Sequence, residues 1–191
     1  MRSFILVVPP MIRLRYRCSM LGLCLVAGLG SVLADDTLVI WPADWQVESL
    51  PPVEGTQPSL QMRQRAVKND QNGNPVMVVE LTQSRLQAGH EVNVQGVLLE
   101  MRKAVQINFA RGGYQSVCTQ VKPGMLSTLP SLETTCTITQ NGGHVMTQTL
   151  VAAATKEMAW SLSYAGSAQG YEANKEEVLR IRDGLRLNLT P

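Results

Sequence analysis

Histidine is nearly missing from this 191-residue chain, where His90 and His144 are the only two. Metal cages and acid–base constellations commonly draw on imidazoles, so the scarcity counts against both. No Gly-x-Ser-x-Gly elbow is present either. Gly166-Ser167-Ala168-Gln169-Gly170 has the small residues without the spacing, which leaves a serine nucleophile without its usual setting. There is no internal repeat, no low-complexity tract and no run of one charge sign. No uninterrupted apolar run reaches the roughly 20 residues of a membrane-spanning helix.

The apolar length that does exist is concentrated near the start. Arg13, Arg15 and Arg17 precede an apolar stretch from Met20 to Leu29, and the small-residue exit Val32-Leu33-Ala34 leads into Asp35-Asp36. That order is the pattern of a secretory signal peptide cleaved after Ala34. It divides the chain into a leader, 1–34, and a single domain, 35–191, in a periplasmic or secreted product with no stable membrane insertion. Leu23 before Cys24 and Arg17 before Cys18 do not suit a lipoprotein acceptor. The apolar Phe4 to Val8 and Pro9-Pro10, ahead of the basic segment, make Met11 a candidate true start.

Cleavage changes the chemistry of what remains. The leader holds Arg2, Arg13, Arg15 and Arg17 and no acid, so 17 basic residues fall to 13 against 15 acidic ones, and a net charge of +2 becomes about −2. A nucleic-acid-binding surface therefore loses its support. Cys18 and Cys24 leave as well, and Cys118 with Cys136 reads as one structural disulfide of an exported chain. Closing that loop is worth about 3 kcal/mol in the chain-entropy model.

Periodicity supplies the elements. Leu38 to Val47 reads as two short extended pieces joined at Pro42, and Pro51-Pro52 and Gly55 mark a loop. Leu60 to Val67 alternates as a strand, and the polar turn Asn69 to Asn74 leads into a second strand, Val76 to Leu81. Val94, Val97, Leu98, Met101, Ala104 and Val105 then recur at helical spacing, with Asn93 as the cap and Gly112-Gly113 as the stop. A strand block follows: Tyr114 to Val121, ending at Lys122-Pro123-Gly124; Leu132 to Thr139; a hairpin at Asn141-Gly142-Gly143; His144 to Ala153; and Met158 to Tyr164. Asn174-Lys175-Glu176-Glu177 resembles a capping box, which predicts a final helix over Glu176 to Leu187. The order predicts an α+β domain, a mostly antiparallel sheet packed by two helices.

The ending, Trp160-Ser161-Leu162-Ser163-Tyr164 with its Gly/Ala loop and terminal helix, resembles PsbP-like domains and their Mog-type and DcrB-like relatives, as does Trp41-Pro42-Ala43-Asp44-Trp45. Arg65 to Asp70, the helix Gln95 to Lys103 and Gly113 to Cys118 resemble an uncharacterised family of exported proteins from pseudomonads and their relatives. The resemblance implies a PsbP-like αβ sandwich and brings no catalytic residues and no cofactor with it.

Candidate site residues are few. Arg63, Arg65 and Lys68 form a small basic stripe that would suit an anionic envelope component, though a solvated sheet face explains it as well. Trp41 and Trp45 bracket a proline and offer either an aromatic contact surface or core packing. Glu100, Glu133 and Asp183 are carboxylates without a motif, and the mature methionines Met62, Met77, Met101, Met125, Met146 and Met158 read as core rather than as soft-metal ligands. The expectation is a non-enzymatic binding or accessory domain of the bacterial envelope, its partner another envelope protein or a small ligand and no nucleic acid. An envelope hydrolase or a metal-trafficking protein is the alternative.

Overall fold

The computed structural model describes residues 37–51 and 59–187. The leader, the cleavage point, the Pro52–Gly55 loop and the Asn188-Leu189-Thr190 sequon lie outside the described residues. The elements run β1 (Trp45–Ser49), β2 (Ser59–Asn69), β3 (Pro75–Arg85), α1 (Val94–Arg111), β4 (Gln115–Cys118), β5 (Lys122–Leu126), β6 (Leu129–Gln140), β7 (Gly143–Ala154), β8 (Met158–Ser167) and α2 (Ala168–Asp183). All strand pairs are antiparallel, in one eight-stranded sheet ordered β1-β2-β3-β8-β7-β6-β4 with β5 also on β6. The α+β architecture follows the sequence reading.

Local chemistry explains the turns. Asn141 and Gly142 both take positive φ, 50° and 80°, which gives the two-residue hairpin between β6 and β7 the twist its strands require. Between β2 and β3, Asp70 Oδ1 accepts from the backbone N–H groups of Asn72 and Asn74, both at 2.8 Å. Asn93 caps α1 by accepting from Gly96 N at 3.0 Å.

Cross-strand partners share a face, so the register sorts the side chains. Met77, Val79 and Leu81 of β3, Trp160, Leu162 and Tyr164 of β8 and Val151 and Ala153 of β7 join Tyr171, Val178 and Ile181 of α2 in the main core. The opposite face of β7 presents Leu150 and Ala152 to Leu98 of α1, with Val94, Met101 and Val105 packed around them. β7 is thus covered on both sides, which is why Thr149 to Ala153 are buried without alternation. Met77 and Met158 are core residues as expected, whereas Met125, on the edge strand β5, is exposed.

Three boundaries depart from expectation. The final helix starts at Ala168 rather than near Glu176, because β8 passes into α2 with no loop and Ser167 is the cap, its Oγ accepting from Gly170 N at 3.0 Å. The helix then ends at Asp183, short of Leu187. The Gly/Ala stretch is a close junction: a Cβ on Gly166 would lie 2.5 Å from the Val76 carbonyl oxygen, and one on Gly170 would collide with the same atom. Lys122-Pro123-Gly124 does not end a strand but lies in one, since a proline is tolerated on an edge strand.

The Cys118–Cys136 disulfide joins directly opposite residues of β4 and β6. Cys136 is fully buried. Peptide mapping without reductant should recover the Cys118 and Cys136 peptides linked, and C118A/C136A should unfold about 3 kcal/mol more easily; separate thiol peptides would overturn the bridge. Gly170→Ala should destabilise by about 1–3 kcal/mol in denaturant melts. A stabilised variant, as helix propensity alone would give, would show that the Val76 contact is not limiting.

Candidate functional site

The two helices cover the sheet unequally. α2 lies over the centre of one face, against β3, β7 and β8, whereas α1 lies on the other face over β7, β6 and β4. On α1's side the rows Ala152–Ser161–Thr82–Arg63 and Leu150–Ser163–Glu80–Arg65–Glu48 run out from under the helix across β8, β3, β2 and β1. Small side chains occupy the first uncovered positions. The step from α1 down to them forms a groove of about 760 Å³.

The floor of the groove is Thr82, Ser84, Ala159 and Ser161, and its wall is the chain leading into α1, including Val92 and Val97. Thr82 Oγ1 and Ser161 Oγ lie 2.6 Å apart and share one hydrogen bond, which engages one of their two hydroxyl protons. Leu98 anchors the helix on the sheet with no exposure, while Val97, one position away, is 43% exposed on the groove side. His90 and Glu91 stand at the rim, both exposed. None of these groove residues was singled out from the sequence as a site except His90. The available signal was the alternation of Met158, Trp160 and Leu162 with the small Ala159, Ser161 and Ser163, which reads equally well as a solvated face.

The residues that sequence reasoning proposed as a contact surface are divided between the two faces. Arg63 and Arg65 lie on the open face, but each has a carboxylate: Arg63 Nε donates to Glu80 at 2.8 Å, and Arg65 lies 3.7 Å from Glu48. Lys68 is not part of their stripe. Three positions from Arg65 it points to the α2 face, where its ammonium pairs with Glu177 of α2 and with Asp44 at 3.0 Å. Trp45 joins that cluster, 5% exposed, donating from Nε1 to Glu177 Oε1 at 3.1 Å beneath the Lys68 ammonium, which is 5.8 Å from its ring. Trp41 is half-buried beside it, with ring centroids 6.2 Å apart, and donates to Gln64 Oε1 at 3.3 Å. The tryptophans and Lys68 tie β1 and β2 to α2, and the two arginines belong to a charge-balanced outer face.

The other candidates occupy structural positions. Glu133 pairs with Lys122 at 3.0 Å and with Arg182 at 3.3 Å, and Asp183 pairs with the same Arg182 at 3.0 Å, while Glu100 sits on α1 beside Lys103. His144 is exposed and its Nε2 lies 2.9 Å from Thr147 Oγ1. Among the described residues no three His, Cys, Asp or Glu side chains group to hold a metal ion, and no helix is long and apolar enough to cross a membrane.

This arrangement is that of a PsbP-like fold. The chain is similar to cyanobacterial PsbP (CyanoP) from Synechocystis sp. PCC 6803, with a TM-score of 0.57 and 11% identity over 87% of this chain and 98% of that one. LpqN, described as involved in cell envelope biogenesis of Mycobacterium tuberculosis, aligns at a TM-score of 0.49 and 15% identity over 78% of this chain and 81% of its own. No curated protein matches. The chain belongs to the family described as a domain of unknown function (DUF4946), whose model matches residues 36–187.

Titration exposes the Lys68 cluster. The hydrogen bond from Lys68 holds the Asp44 carboxyl below the usual carboxylate range. For Lys68 burial alone lowers the pKa, but hydrogen bonds to Glu177 and Asp44 outweigh it and leave the ammonium raised above 10.5. The depressed carboxylate stabilises the fold above about pH 4 and loses that contribution as pH falls through its folded value. The raised ammonium contributes below pH 10.5 and loses it as pH rises through its own folded value. Lys68→Met should cost about 1–3 kcal/mol at neutral pH by stranding Glu177. In urea melts across pH, its deficit relative to the native sequence should shrink at both acid and alkaline extremes; a constant deficit would show a packing effect alone.

Proposed function

We propose that the chain is an exported, non-enzymatic binding domain of the bacterial cell envelope, an accessory protein that holds a small ligand in the groove beside α1. The observation that carries this reading is the groove itself. Its volume of about 760 Å³ lies within the 300–1,000 Å³ common for small-molecule sites. The leader pattern ending at Ala34 and the Cys118–Cys136 bridge support export to an oxidising compartment. Protein recovered from the envelope of an expressing bacterium is expected to begin at Asp35. In native mass spectrometry it should carry a bound small molecule that the groove-filling Ala159→Leu variant lacks. The bare polypeptide mass for each protein would overturn the groove as the binding site, and a cytosolic chain retaining residues 1–34 would overturn export.

A further inference from the structure

The groove carries one further inference, which rests on its being the binding site: the charge of what it holds. Its lining includes one carboxylate, Glu91, and neither lysine nor arginine. Thr82 of the floor has Arg63 as its cross-strand neighbour, but that guanidinium is already committed to Glu80. The first turn of α1 contributes partial positive charge where Asn93, Gly96 and Val97 border the groove, and that turn contains no acidic residue. A helix terminus amounts to about half an elementary charge, partly answered here by the Asn93 cap, so the full charge of Glu91 exceeds it, and with the neighbouring His90 neutral the rim is net negative. The wall is aliphatic at Val92 and Val97, and Ala159 lies in a floor where the Thr82 and Ser161 hydroxyls share one hydrogen bond.

We propose that the groove takes a small cationic amphiphile, its apolar body lying on Ala159, Val92 and Val97 and its amine at the Glu91 carboxylate. An aliphatic body gains from leaving water on such walls, and the amine replaces part of its hydration with a charge-assisted hydrogen bond at the rim. An anionic head of the same size would face Glu91 instead.

Three probes of one chain length separate the contributions: octylamine, octanol and octanoate, titrated below micellar concentrations into amide-labelled protein. The expected result is perturbation of the Gly96, Val97 and Ala159 amides by all three. Octylamine should bind about threefold to tenfold more tightly than octanol, and octanoate most weakly. Glu91→Gln, a change at an exposed side chain, should bring octylamine to the affinity of octanol and leave octanol unchanged, and about 1 M salt should do the same to the native sequence. Octanoate binding as tightly as octylamine, or an amine preference that survives Glu91→Gln, would overturn the cationic assignment while leaving a functional groove. No probe perturbing these amides would overturn the groove reading together with this inference.

Discussion

The seating of Gly166 and Gly170 against the Val76 carbonyl sets the position of much else. Because β8 becomes α2 without a loop, the helix has one direction to take, back across β3, β8 and β7, and it can approach only where the backbone carries no side chain. From that placement follow the Glu177 contacts with Lys68 and Trp45, the Arg182 contact with Glu133 and the Tyr171 hydroxyl 2.6 Å from Thr149 Oγ1. Burial raises the Tyr171 and Tyr164 phenols above their ordinary range, and the two rings stack at 5.8 Å. α2 thereby commits one sheet face to packing and leaves the other to α1 and solvent.

That other face is only half covered, and the division is a matter of side-chain size. Over β7 the residues facing α1 are Leu150 and Ala152, which can bury an aliphatic stripe around Leu98. One strand further they become Ser163, Ser161 and Ala159, with too little apolar surface to hold a second helix. The exposed valine at the groove edge and the hydroxyl floor are two sides of that transition. Farther out the face becomes an alternating lattice of Glu48, Arg65, Glu80 and Arg63, whose ion pairs satisfy one another.

Much of this was readable in advance because period and punctuation agree. The period of two located β2 and β8, turn residues located β3 and β7, the 3.6-residue stripe located α1, and Cys118 and Cys136 formed the bridge their context suggested. The capping box at Asn174 misled because its pattern competes with a cap that has no acidic partner three residues on: Ser167 is followed by Ala168, Gln169 and Gly170. Glycines that look like a loop were there for close approach. Lys68 was placed beside Arg65 although their odd separation already sends them to opposite faces, a parity that strand geometry dictates. The groove was invisible because depth depends on where α1 lands, and a row of serines and alanines reads the same under water as beneath a wall.

The ties of the first described residues set the order in which the molecule can assemble. Trp160 Nε1 donates to Thr37 Oγ1 at 3.2 Å, Leu38 exchanges backbone hydrogen bonds with Arg186, and Trp45 reaches Glu177, so the beginning of the domain is completed by its last strand, last helix and final residues. Loop-closure entropy of that span must be met before these contacts return anything, which places them late in folding. Until that end has emerged from synthesis the beginning lacks these partners, and the ties that close the domain are among the last a nascent chain can make.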